Sequence, residues 1–264
     1  TNKSLFRAIQ FMVHDAAIAI DLPNGTRTLI LREIELDRAR EHARADDVFG
    51  YSEFTPTGGL SGDRETAAAE STAECLRRNG IDTVIADRTL PLIYADAIQT
   101  AGITLELDRD MGVTDRRVKD AQEVAHLRKA QEGTEQVMRM ACETVANAEA
   151  DEAGVLRVNG SALTSESVRT MIDSFLLERN FFNPSSIVAG GSDGGDCHHL
   201  GSGELHTCQP IIIDIFPQDK SSMYNGDCTR TVVHGTIPDE VAKMHEAVVA
   251  AKEAATAAVK AGVT

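Results

Sequence analysis

The chain has 264 residues, a formal net charge of −15, 42% apolar and 25% charged residues, and no Trp. That is the make-up of an ordinary globular protein, long enough for two domains and rich enough in aliphatic side chains to bury a core without many aromatics. The acidic balance excludes nucleic acid and anionic membrane surfaces as partners, since both need a basic face, and no run approaches the roughly 20 apolar residues of a membrane span.

Taken in chain order, residues 15–21 read as a strand, Asn24-Gly25 as a hairpin turn and residues 27–31 as the returning strand. Residues 33–44 are charged and helical. A helix over 64–79 places Ala67, Ala68, Cys75 and Leu76 on its less polar side, and Gly80 ends it. A buried-type strand over 81–86, a helix opened by Pro91 and a strand over 103–107 complete an α/β domain. The short, charged segment 112–119 reads as the boundary, giving an α/β domain over 1–115 and a second domain over 116–264.

Residues 120–150 carry apolar side chains at helical spacing, with Gly133 as a soft point that divides the segment into two helices or weakens one. Thr164 is an N-cap for a helix reaching about Arg179. Strands follow over 186–189, 210–216 and 229–234, with a glycine-rich stretch over 190–195 after the first. Pro238 opens a last helix. The second domain thus reads helix, helix, three strands, helix.

Two stretches carry chemistry. An apolar strand delivers Asp214, and Asp227 heads the next strand, Cys-Thr-Arg-Thr-Val-Val. On antiparallel neighbours these carboxylates can converge, and converged carboxylates repel unless a cation such as Mn²⁺ lies between them. The plain alternative is two solvated loop acids. His198 and His199 follow the glycine-rich stretch; on a strand they would face opposite ways, so at most one joins a shared site. Cys197, His198, His206 and Cys208 do not make a familiar zinc site, because no Cys-x-x-Cys is present. The Gly-rich stretch lacks the Lys-Ser/Thr and the helix start of a phosphate loop. Five Cys at irregular spacing do not form a disulfide framework, which points to a reducing cytoplasm.

The order of these pieces resembles the creatinase and Xaa-Pro peptidase superfamily, which includes prolidases and methionine aminopeptidases. Asp214 and the Asp-x-Thr-Arg-Thr at 227–231 are its most specific part. The resemblance implies an α+β chain, with a creatinase-type N-terminal α/β domain followed by the first half of a pita-bread fold. It implies hydrolysis of N-terminal Xaa-Pro peptide bonds with two divalent ions, Mn first and Co or Zn as alternatives. Asp214 would bind one ion, Asp227 would bridge both, and His198 would lie beside the scissile carbonyl. The family's further His and two Glu ligands have no counterpart here, so the chain is expected to be C-terminally truncated and inactive alone, with apolar surface from Ile211, Ile213 and Val232 exposed where strands of the other half of the sheet are missing. A peptide substrate and a homodimer are the expected partners. Within the resemblance, a creatinase-like amidinohydrolase and a non-catalytic, peptidase-like binding module remain as alternatives. The sequence also departs from the family pattern, with Phe216-Pro217, Met223 and Cys208-Gln209 where Gly-containing turns are usual.

Overall fold

The computed structural model describes residues 2–263, and the chain divides into two compact units, 1–119 and 120–264. The divide falls where a capping box begins the long helix of the second unit.

The first unit opens with α1 (Lys3–Ile9), capped by the Asn2 side chain, which accepts from the Ser4 and Leu5 N–H groups. Strands β1 (Ile18–Asp21) and β2 (Arg27–Leu31) form the hairpin expected at Asn24-Gly25. Helix α2 (Leu36–His42) then leads to β3 (Asp47–Gly50), which pairs parallel to β2. Helix α3 (Arg64–Arg78), strand β4 (Thr83–Ala86), helix α4 (Leu92–Thr100) and strand β5 (Thr104–Leu107) follow, with β4 and β5 parallel. The middle strand β2 ends in three consecutive apolar residues, Leu29-Ile30-Leu31, because both its faces are covered there. Ile30 joins the cluster made with α3 and α4, while Leu29 and Leu31 join the one around Ile9, Phe11 and Ala39. Helix α1 and strand β3 had no clear signal in the sequence.

The second unit begins with α5 (Ala121–Ala146), started by the Asp120/Glu123 capping box and continuous through Gly133. Gly133 is therefore not a soft point. A Cβ there would lie 2.6 Å from Phe181 Cζ, so the glycine admits an aromatic ring against the helix. A small sheet of β6 (Glu149–Ala150), β7 (Leu156–Val158) and β8 (Ser161–Ala162) precedes α6 (Ser165–Glu178), which Thr164 caps. Strand β9 (Phe181–Phe182) comes next. The main sheet is antiparallel: β10 (Ser186–Gly190), β11 (Pro210–Ile215) and, after the short β12 (Gln218–Asp219) that pairs with β9, β13 (Cys228–Val233). The order in this sheet is β10-β11-β13. Helix α7 (Asp239–Ala258) ends the unit, and none of its residues is buried.

Alternation along β11 sorts the main sheet into two faces. Ile211, Ile213 and Ile215 are fully buried with Val188, Cys228 and the α5 and α6 residues Val137, Ala141, Val168 and Ile172. Ile212, Asp214 and Phe216 are only half-buried. The apolar surface expected at Ile211, Ile213 and Val232 is thus corrected: the first two are core and Val232 packs against that core, because the two helices cover their face. The carboxylate of interest lies on the other face.

Candidate metal centre

Register places the two acids. In the β11–β13 ladder Asp214 stands opposite Thr229, and the Thr229 hydroxyl donates to Asp214 Oδ1 at 2.6 Å. Asp227 is the residue just before β13, two positions from Thr229. Strand alternation carried back by two residues puts it on the Asp214 side, as a diagonal neighbour, a relation that spans about 7–8 Å in a regular ladder. Asp227 is exposed, and its N–H donates to Gln131 Oε1 at 3.1 Å. Gly226 sets that approach to α5: a Cβ on it would lie 2.0 Å from Thr134 Oγ1 and 2.6 Å from the Ala130 carbonyl oxygen.

Among the described residues neither carboxylate has an ion-pair partner from the protein. Two uncompensated carboxylates on one sheet face suit a hard divalent cation. They would be part of its shell, since no group of three or more His, Cys, Asp or Glu is gathered among the described residues. The donor set fits the metal as far as it goes.

The two histidines lie in a turn after the 3-10 segment Gly191–Gly195, not on a strand, so strand alternation is not what separates them. His199 serves its own loop: Nδ1 accepts from the Gly201 N–H at 3.0 Å and lies 3.5 Å from Asp193 Oδ2. The His198 imidazole is exposed and makes no hydrogen bond among the described residues; only its backbone N–H is engaged, donating to Asp196 Oδ1. The loop is fastened to β10, the strand beside Asp214. Val188 N–H donates to the Leu200 carbonyl, and Arg169 Nη1 donates to the Leu200 and Gly201 carbonyls at 2.6 and 2.9 Å. A Cβ at Gly201 would fall 1.8 Å from the Val188 oxygen, so the crossing requires glycine.

The family model of metallopeptidase family M24 matches residues 125–264, more than half of the chain. The chain belongs to metallopeptidase family M24. No curated protein matches the sequence. Among solved structures, this M24 chain is similar to the prolidase of Pyrococcus horikoshii (17% identity, TM-score 0.74), with 100% of this chain and 67% of that one covered. It is similar to the Xaa-Pro dipeptidase of Bacillus anthracis (16%, TM-score 0.75, with 100% and 67% covered). The X-Pro aminopeptidase of Thermotoga maritima gives 19% and a TM-score of 0.72, with 99% and 67% covered. At these identities the likeness shows a shared fold, and the M24 chain spans about two-thirds of the length of those proteins.

Two departures from the usual M24 pattern have a visible consequence. Cys208 and Met223 stand where glycine is usual, and both hold left-handed backbone, at φ 60° and 63°. The turns keep the glycine conformation without glycine. The sequence singles out Asp214, Asp227 and His198 as candidates; it gives no signal for Gly226, Gln131 and Asp219, whose contacts only the three-dimensional structure shows.

Proposed function

We propose that the protein carrying this chain is a metal-dependent peptidase that cleaves N-terminal Xaa-Pro bonds. The observation that carries the reading is the pairing of Asp214 with the Asp227-x-Thr-Arg-Thr strand on one sheet face, without a protein cation, in a chain of family M24. The prolidase and Xaa-Pro peptidase folds support the substrate class, as does a first unit read as a creatinase-type domain joined to half a pita-bread fold. A cytoplasmic homodimer is the proposed form.

Asp214 and Asp227 would hold two divalent ions, with Mn²⁺ first and Co²⁺ or Zn²⁺ as alternatives. When bound, such a pair supplies Lewis acidity and a water of lowered pKa. Thr229 engages one oxygen of Asp214 and so orients the carboxylate, leaving the other oxygen for the ion. His198, with its imidazole uncommitted to the loop, would donate a hydrogen bond to the substrate carbonyl oxygen as negative charge develops there. Two carboxylates alone hold ions weakly, so residues 1–264 by themselves are expected to be inactive.

The test is an assay of the native protein on Xaa-Pro and matching Xaa-Ala peptides, before and after chelation and Mn²⁺ return. The reading expects Xaa-Pro cleavage that chelation stops, Mn²⁺ restores and Asp227→Ala abolishes, with His198→Ala more damaging than His199→Ala. Cleavage that survives both chelation and Asp227→Ala would overturn it. Comparable activity from residues 1–264 would show a complete site within them.

A further inference from the structure

The chain between Asp214 and Asp227 is built around a carboxylate that the proposed chemistry does not use. Asp219 has no exposed side-chain surface. Ser221 Oγ donates to both its oxygens at 2.9 and 2.8 Å, Ser222 Oγ donates at 2.7 Å, and Lys129 Nζ of α5 lies 3.1 Å from Oδ2. Its backbone closes the same turn: the N–H donates to the Tyr224 carbonyl, and its carbonyl accepts from Met223. A lone buried carboxylate costs several kcal/mol to desolvate, so it persists only where donors surround it, as here.

Three residues after Asp219 land on one stretch of α5. Tyr224 OH donates to Glu123 Oε1 at 2.8 Å, and its ring stacks on His126. Gly226 seats against Ala130 and Thr134, and Asp227 N–H reaches Gln131. Lys129 lies in the middle of this stretch. On the other side, Gln218 and Asp219 pair with Phe182 and Phe181. Asp219 thus pins the centre of a loop whose two ends carry the two proposed metal-holding acids.

We infer that Asp219, clamped by Lys129, Ser221 and Ser222, is the positioning residue that fixes the Asp214–Asp227 loop on α5 and so sets how the second carboxylate meets the metal. This rests on the reading of Asp214 and Asp227 as metal-holding residues. Asp219 touches neither substrate nor ion; it acts through the loop. Its ionised form is strongly favoured. Burial pushes its pKa up, but the bonds from Ser222, Ser221 and Lys129 outweigh it and hold the pKa at about 2, so the clamp stays closed at neutral pH.

The test measures Mn²⁺ affinity of the native protein by calorimetry, with Mn²⁺ alone as the probe, in wild type, Asp227→Ala, Asp219→Asn, Lys129→Met, Lys129→Arg and Glu74→Gln. Circular dichroism checks that each is folded at the temperature used. Asp219→Asn is expected to weaken Mn²⁺ binding by about tenfold or more, the loss typical when the support of a metal ligand is removed. Lys129→Met should weaken it less, and Lys129→Arg should return most of the affinity. Glu74→Gln, which removes a buried carboxylate from the first unit, should leave it unchanged. Unaltered affinity in folded Asp219→Asn, with binding lost in Asp227→Ala, overturns this inference alone. Wild type that binds no Mn²⁺, or Asp227→Ala that binds as wild type does, overturns the metal reading and this inference with it. Should Asp219→Asn not fold, Lys129→Met decides: binding equal to wild type sinks the inference, and weakened binding that Lys129→Arg restores upholds it.

Discussion

Glu74 in the first unit and Asp219 in the second are both buried carboxylates, both surrounded by donors, and both have a pKa pulled down to about 2. Their partners differ in reach. Glu74 accepts from Arg77 at 2.7 Å and from Arg78 at 2.8 Å, three and four residues along the same helix. Asp219 meets Lys129, 90 residues earlier in the chain. The same electrostatics therefore does two jobs. At Glu74 it satisfies one face of α3. At Asp219 it joins elements that the chain does not bring together by itself, and a shift in that joint would move a proposed ligand.

The largest effect comes from removing the seat on which the joint depends. Gly226→Ala forces a methyl into the Ala130 carbonyl and the Thr134 hydroxyl. It is expected to cost about 3 kcal/mol in urea unfolding and to abolish Mn²⁺ binding. Wild-type values for both would mean that the approach to α5 is not what holds Asp227.

A smaller effect separates the two carboxylates directly. Asp219→Ala should cost about 2–3 kcal/mol, because several charge-assisted hydrogen bonds are lost from a buried group. Glu74→Ala should cost about 1 kcal/mol or less, since Arg77 and Arg78 are 59% and 42% exposed and solvent screens them. The loss at Glu74 should shrink further in concentrated salt, and that at Asp219 should shrink less: salt screens its pairing with Lys129, which is 57% exposed, but the bonds from the Ser221 and Ser222 hydroxyls involve no second charge. Equal costs at both sites, measured by urea melts at two salt concentrations, would erase the distinction between local and long-range pairing.

Acid should sharpen the likeness between them. Each folded pKa lies below the ordinary carboxylate value of roughly 4. The stability each contributes is therefore present above that value and is lost as pH falls toward about 2. Melts between pH 5 and 2 should show this loss, and Glu74→Gln and Asp219→Asn should each flatten part of it. An acid limb that neither variant changes would place the responsible groups elsewhere. The smallest effect is a gain: Cys208→Gly should stabilise by about 1 kcal/mol, because an exposed cysteine at φ 60° bears a left-handed backbone that glycine adopts freely. A loss of stability would show that its contact with Thr207 outweighs the strain.

Legibility in the sequence follows the same division between local and distant. Asn24-Gly25 marked its hairpin, Thr164 and Pro238 marked helix starts, and alternation marked β11, because each signal lies within a few residues of its effect. The Glu74-x-x-Arg77-Arg78 pattern is of this kind. Asp214 and Asp227 were legible because an apolar strand isolates the first and a Thr-Arg-Thr strand follows the second. Asp219 was not, because its partner lies on a helix far upstream. Nor was the role of Gly133, whose reason is the ring of Phe181. Strands β6, β7, β8, β9 and β12 are two or three residues long, too short for alternation to show. The misplaced apolar surface at Ile211 and Ile213 has a related cause. The expectation looked for cover from the missing strands of the other half of the sheet, whereas α5 and α6 supply it.

Whether Asp214 and Asp227 hold metal is tested most directly by anomalous diffraction at the manganese edge from crystals of the native protein grown with Mn²⁺. Anomalous density is expected within coordination distance of the Asp214 and Asp227 carboxylates, with the Asp214 oxygen not bonded to Thr229 turned toward it. A fully occupied manganese site elsewhere, with none between these two acids, would contradict it.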